Sequence, residues 1–411
     1  MPTEPPPARI ETTYPADYRA AEMQTLARAV NRAESLMVCG VGGSGKSHLL
    51  RFLAFHQAVP ELVGLPQLAR LYLDGNGLLS HDAAGVFQAL LLELEPDAPT
   101  PADTAGALAA LRRRLARHMP ADGLLLLVID RFERLPREVQ PTVLDGLRHL
   151  RDYLNRRVCM VLGCRTPLPM EQLSQEFADL LAAPPVLWVG GLAPADAARS
   201  MATALRTTRL TLDSEQAAAL LRLSGGYAQL LRAATLAWAE APATATEELF
   251  TMLAQHQAVR RVCQALWADL PEDEQALLGA LLAGSTVEVS PTHPLRSKGL
   301  VVADAHGRAA LAVPLLAPFA RPASREPALE LTPLEAKLWE ALEAHPGELV
   351  LRDALIVQLY GSDPDGVNDE ALTALAARLR RKLVQAGMGT LEAARGRGYR
   401  FTPVAGKDGP Q

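Results

Sequence analysis

A chain of 411 residues with 49% hydrophobic and 21% charged residues and a formal net charge of −5 is long enough for two to four domains; it is neither disordered overall nor a polycation. Only 5% of the residues are aromatic and the apolar content is mostly Ala and Leu, which favours helices over a β-sandwich because these side chains lose little entropy in a helix. Four scattered cysteines, Cys39, Cys159, Cys164 and Cys263, exclude a disulfide framework, and none has metal-ligand spacing with a histidine.

In chain order, residues 1–13 are expected as a mobile Pro-rich leader without a signal pattern. An α/β domain spans 14–192. A helix over about Ala16–Glu34 leads into strand Leu36–Cys39, a glycine-rich loop and helix His48–Phe55. Apolar runs Leu71–Leu73, Leu124–Ile129, Val158–Leu162 and Val186–Val189 suit buried parallel strands, with helices such as Ala83–Leu94 and Ala105–His118 between them. That alternation predicts a parallel sheet. Residues 193–254 turn helical and form a lid. Residues 255–320 hold short helices (Val262–Leu270, Glu274–Leu282) and a hairpin, Gly299–Val313, turning at His306-Gly307, a small winged-helix-like α+β unit. A linker over 321–328 precedes a last compact unit, 329–405, and a polar tail, 406–411. The longest apolar run is far short of the roughly 20 residues that span a bilayer, so a cytoplasmic protein without a membrane partner is expected.

The loop Gly40-Val-Gly42-Gly43-Ser44-Gly45-Lys46-Ser47 matches G-x-x-x-x-G-K-[ST], between an apolar strand and a helix. Glycines let backbone N–H groups turn onto phosphate oxygens, and the helix start adds the positive end of a dipole. Gly40, Gly42, Gly43, Ser44, Gly45, Lys46, Ser47 and His48 are therefore the expected contacts to ATP or ADP. Lys46 would neutralise the β/γ-phosphates, and Ser47 would hold Mg2+. Asp130, ending the apolar strand, is the second expected magnesium residue, acting through water. Glu133 is a candidate activator of the attacking water, its bland alternative being a solvated helix-start acid. Arg165, after the strand Val158–Leu162, has the charge to reach a γ-phosphate, with Thr166 as the spare; a surface arginine is the alternative.

The loop, the segment Asp130-Arg-Phe-Glu133, the strand ending in Arg165 and the turn Ser224-Gly225-Gly226-Tyr227 resemble a STAND-type ATPase, a signal-transducing relative of the AAA+ class, over about residues 14–320. The resemblance implies ATP or ADP bound between the α/β domain and the lid, slow hydrolysis, and a switch between closed and open states. Arg131 stands where AAA+ relatives place a catalytic Glu, which argues against rapid turnover. No Arg lies between Arg165 and Arg199, so the usual arginine finger is missing. Gly226-Tyr227-Ala228 replaces the Gly-x-Pro turn frequent in the lid.

In the last unit Thr332 caps a helix, Pro333 fills its first turn and Glu335 completes a capping box. That helix runs to Ala344; a second spans about Leu351–Tyr360 and a third about Asn368–Ala386. A hairpin follows over Thr390–Thr402, with Arg395-Gly-Arg397-Gly-Tyr399-Arg400 at its turn. From Ala371 to Pro403 seven basic residues, Arg378, Arg380, Arg381, Lys382, Arg395, Arg397 and Arg400, face one acid, Glu392. A basic helix followed by a basic hairpin is the footprint of a helix in the major groove with a wing on the backbone. Leu331-Thr-Pro-Leu-Glu, His345-Pro-Gly, Leu379-Arg-Arg-Lys-Leu383 and Arg395-Gly-Arg-Gly-Tyr-Arg-Phe401 resemble the OmpR/PhoB-type winged helix, which implies binding to double-stranded DNA. Thr373 and Arg378 are the best base readers available, so affinity would rest on phosphates more than on sequence.

The expected molecule is an α/β P-loop NTPase with a helical lid followed by two small winged-helix-like domains, acting as a nucleotide-switched DNA-binding regulator. Homo-oligomerisation on nucleotide exchange and a protein signalling partner are further expected interactions. Two rivals are an AAA+ ATPase of DNA replication or transposition, and a STAND scaffold of a defence or signalling complex whose winged helix binds protein.

Overall fold

The computed structural model describes residues 13–99, 101–120, 122–168, 186–208, 210–241, 246–283, 285, 289–290, 293–304, 307–320, 332–345, 347–360, 369–385, 389–394 and 397–403. They belong to two compact units divided between Arg321 and Pro322.

In the first unit β1 (Leu36–Cys39), β2 (Ala69–Asp74), β3 (Leu125–Asp130), β4 (Val158–Cys164) and β5 (Leu187–Trp188) form one sheet in the order β2-β3-β4-β1-β5. Every neighbouring pair is parallel, so helical crossovers are needed between strands. α1 (Ala20–Asn31) precedes β1, and α2 (Lys46–Phe55) follows it. α3 (Ala83–Leu94) and α4 (Thr104–His118) link β2 to β3, and α5 (Gln140–Tyr153) links β3 to β4. Asp82 and Asp103 start α3 and α4 by accepting the amides of Gly85 and Gly106.

Successive strand residues go to opposite faces. Leu126, Val128, Cys159 and Val161 enter one core, and Leu125, Leu127, Ile129, Met160 and Leu162 the other. Because both faces are covered, β3 and β4 read as unbroken apolar runs. The first of these cores continues beyond the sheet. α6 (Pro194–Leu205), α7 (Ser214–Ser224), α8 (Ala228–Glu240), α9 (Thr246–Gln255), α10 (Gln257–Ala268) and α11 (Glu272–Leu282) pack Met201, Leu220, Leu230, Leu253, Leu266 and Leu278 into it. An antiparallel pair, β6 (Val301–Ala303) and β7 (Ala309–Leu311), closes the unit. His306 of the expected turn lies outside the described residues.

Strand β4 extends two residues past the expected Leu162, which makes Arg165 the first residue beyond the sheet. The helix expected from Ala16 begins at Ala20, because Arg19 is left-handed at φ 47°.

The second unit holds α12 (Pro333–Glu343), β8 (Leu349–Leu351), α13 (Arg352–Tyr360), α14 (Asp369–Gln385), β9 (Gly389–Ala394) and β10 (Gly398–Pro403). Its sheet is antiparallel in the order β8-β10-β9. Strand β8 was not expected: three residues are too few for an alternating pattern, and the pairing with β10 makes it. Leu338, Leu342, Leu355, Leu372, Leu379 and Leu383 pack with Tyr399 and Phe401 into the core, where Trp339 meets Phe401 edge-on at 4.8 Å. Tyr399 and Arg400 belong to strand β10 rather than to the turn where the sequence pattern puts them.

Candidate functional site

The carboxyl ends of β1, β4 and β3 lie side by side, because Cys39 pairs with Cys164 and Ile129 with Leu162. Gly40, Arg165 and Asp130 therefore emerge at one edge, the usual place for ligands in such sheets. The loop after β1 has Gly43 at φ 79° and Gly45 at φ 93°, conformations that favour glycine. α2 starts at Lys46, so its unsatisfied first amides open into the loop. Lys46 is buried and its Nζ donates to the Cys164 carbonyl at 2.5 Å, which also takes the Gly40 amide at 3.3 Å. Ser44 Oγ is buried and makes no hydrogen bond among the described residues.

Asp130 is fully buried, accepting the Arg131 amide on Oδ1 at 2.9 Å and the Tyr72 hydroxyl on Oδ2 at 3.3 Å. Burial and the Asp130 charge push the Tyr72 phenol above its ordinary value, so it stays protonated and donates. Gly163 on β4 makes room: a Cβ there would lie 2.8 Å from Asp130 Oδ1. Arg131 is left-handed at φ 56° and turns its guanidinium to Asp74 at 2.5 Å.

Arg165 lies between two carboxylates, with Nη1 2.5 Å from Asp269 Oδ1 and Nε 3.5 Å from Glu133 Oε1. The other Glu133 oxygen, Oε2, is buried and makes no hydrogen bond among the described residues. Asp269 Oδ2 also accepts the Gly42 amide of the loop at 2.8 Å.

Three further contributions escaped the sequence reading. Arg19 is 1% exposed and lies against the loop, donating to Ser44 O at 2.6 Å and Gly190 O at 3.2 Å. Gln229, at the start of α8, donates its amide to Gly43 O at 3.0 Å. Arg232 lines the cleft one turn further on. The signal for the last two was their position just after Gly225-Gly226-Tyr227, where φ values of 59° and 72° aim α8 at the loop. The Gly226 carbonyl holds the Leu192 amide at 2.7 Å, and Tyr227 donates to Lys298 O at 2.5 Å.

These elements enclose a cleft of about 960 Å³ that includes residues 40–48 together with Tyr14, Tyr18 and the α6 and α8 faces. Seven arginines and Lys46 line it against two carboxylates, Glu133 and Asp196, so it suits a polyanion.

In the second unit the exposed side of α14 carries Thr373, Ala374, Ala377, Arg378 and Arg381, while Leu372, Leu375, Leu379 and Leu383 face inward. Arg397 and Arg400 are exposed on the hairpin, and Arg395 lies outside the described residues. Part of the basic set is used internally. Buried Glu335 holds Lys382 at 2.7 Å and Arg378 at 3.5 Å, and Arg380 Nε donates to the Leu391 carbonyl at 2.6 Å. Thr373 accepts a hydrogen bond from Arg352 at 3.3 Å.

Among the described residues no helix is long and apolar enough to cross a membrane. The model of the family described as Novel STAND NTPase 1 matches residues 18–298, and that of Transcriptional regulatory protein, C terminal, matches residues 325–401. No curated protein matches the chain. Similar solved structures include the Aeropyrum pernix ORC1 protein in complex with DNA, at 14% identity over 98% of this chain and 92% of that one, TM-score 0.39. A Walker-type ATPase of Pyrococcus abyssi matches at 12% identity over 74% and 95%, TM-score 0.44. Cdc6p of Pyrobaculum aerophilum matches at 13% identity over 98% and 93%, TM-score 0.42.

Proposed function

The chain belongs to the Novel STAND NTPase 1 family, joined to a winged helix of the transcriptional-regulator type, and from that premise we propose a nucleotide-switched DNA-binding regulator. The observation that carries the reading is the arginine-lined cleft around the glycine-rich loop. Ser44 Oγ and Glu133 Oε2 there are buried and make no hydrogen bond among the described residues; a phosphate would accept from the Ser44 hydroxyl and a water would donate to Glu133. ATP or ADP would lie there with the loop amides and Lys46 on its phosphates and Arg165 near the terminal one. Ser47 and Asp130 offer the hard oxygen donors that Mg2+ takes, and Asp130 is held ready by Tyr72 and the Arg131 amide. Bound magnesium would supply charge neutralisation on the phosphates.

Chemistry at the site would be slow. Arg131, paired with Asp74, follows the strand-end aspartate and has no proton-accepting capacity, which leaves Glu133 as the base. A slow step suits a switch, in which the bound nucleotide sets a population and is not spent on work. In the second unit, Arg381, Arg397 and Arg400 would contact phosphates, with Thr373 and Arg378 nearest to base edges. Homo-oligomerisation on nucleotide exchange belongs to the same proposal.

Fluorescence anisotropy of duplex DNA with the full chain tests it, comparing ADP with a non-hydrolysable ATP analogue across a salt series. Affinity that weakens with salt and differs between the nucleotides is expected. Equal affinity with both would overturn the switch, and no binding with either would overturn the DNA reading.

A further inference from the structure

Asp269 terminates α10, at φ −76° and ψ −9°, 227 residues downstream of the glycine whose amide it accepts. A carboxylate at a helix C-terminus faces the negative end of that helix's dipole, which disfavours its charge. Its charge is satisfied elsewhere. One oxygen takes the Gly42 amide at 2.8 Å and the other the Arg165 guanidinium at 2.5 Å. The approach needs a glycine, since a Cβ on residue 42 would lie 2.6 Å from Asp269 Oδ2. The turn that presents Asp269 is rigid: Leu270 beneath it is 4% exposed, and Gln275 Nε2 donates to both Trp267 O and Leu270 O at 3.0 Å.

An amide of the phosphate loop and a neighbouring guanidinium are what a terminal phosphate group needs. We propose that Asp269 sets the nucleotide preference of this site: its carboxylate occupies the donors that distinguish a nucleoside triphosphate from a diphosphate. A diphosphate enters with Asp269 in place. A triphosphate competes for the Gly42 amide and Arg165 and is repelled by the carboxylate until the Asp269 turn moves away. The residue thus disfavours the triphosphate and ties its binding to displacement of α10 and α11. The inference rests on the nucleotide reading of the cleft and names a group held against two of its lining residues, Gly42 and Arg165, that discriminates.

Isothermal titration of the full chain with ADP and with a non-hydrolysable ATP analogue, for the parent, Asp269→Asn and Asp269→Ala, decides the matter. The expected result is a parent that favours ADP. In both variants the ratio of analogue affinity to ADP affinity then rises tenfold or more. Hydrogen exchange over 257–282 is expected to rise in the parent with the analogue but not with ADP. A structural role alone would weaken both nucleotides together and leave the ratio unchanged, and an unchanged ratio overturns the inference. If neither nucleotide binds the folded parent, the nucleotide reading itself falls, and the inference with it.

Discussion

The ammonium of Lys46 donates to the carbonyl oxygen of Cys164 at 2.5 Å, joining the first turn of α2 to the end of β4. The bond holds a buried cation beside the glycine-rich loop. Replacing the side chain removes both a structural hydrogen bond and the charge.

Lys46→Ala is therefore expected to weaken ADP binding by tenfold or more, measured by titration calorimetry. The released Cys164 carbonyl keeps the Gly40 amide, so the loss in folding stability stays near 1 kcal/mol in a urea melt.

Lys298 and Glu274 form a buried ion pair, with Nζ 2.6 Å from both carboxylate oxygens. Lys298→Met leaves the carboxylate without its partner and is expected to destabilise the first unit by about 3–5 kcal/mol. Adding Glu274→Leu is expected to restore most of that stability. Chemical denaturation of the single and double variants reads the difference.

Glu335 ties α12 to α14 in the winged unit. Burial alone would raise its carboxyl, but the Lys382 ammonium and the Thr332 hydrogen bonds outweigh burial and hold it below its ordinary value of 4.5. A carboxyl depressed on folding contributes stability above its unfolded value and loses it as pH falls through the folded one. Melts between pH 6 and pH 3 are expected to show that loss in the parent and a smaller one in Glu335→Gln. At neutral pH the substitution is expected to cost about 1 kcal/mol, because Lys382 is partly screened by solvent.

The basic residues of the winged unit divide by what they touch. Arg381→Ala and Arg397→Ala, both exposed, are each expected to lower the slope of log affinity against log salt by about 1. Arg380→Ala breaks the bond to Leu391 O and is expected to lower the melting temperature instead. Anisotropy and thermal melts on the same samples separate the two effects.

Most of this was legible wherever the chemistry is local in the chain. The glycine loop, the strand ending in Asp130 and the Thr332–Glu335 capping box all declare themselves within a few residues, and the parallel sheet follows from unbroken apolar runs. Asp269 was not legible. In sequence it stands in the acidic stretch Asp269-Leu-Pro-Glu-Asp-Glu274, which reads as the start of a helix, and only the fold carries it to Gly42. Arg19 was hidden for a similar reason: its burial comes from contacts with Ser44, Gly190 and Asp196, which lie far along the chain. The pairing of Arg378 and Lys382 with Glu335 likewise joins two helices, whereas their spacing shows only a basic face.

The four cysteines have one more consequence. All are buried and unpaired, and burial pushes the thiols of Cys39, Cys159 and Cys263 up to about 12 and that of Cys164 well above its ordinary value. Alkylating reagents attack thiolates, so the native chain is almost inert to them at neutral pH. Maleimide uptake by the unaltered chain therefore clocks how often the core around β1, β4 and α10 opens. A reporter dye can be attached at a surface position such as fully exposed Leu79, through Leu79→Cys, without first removing the native thiols.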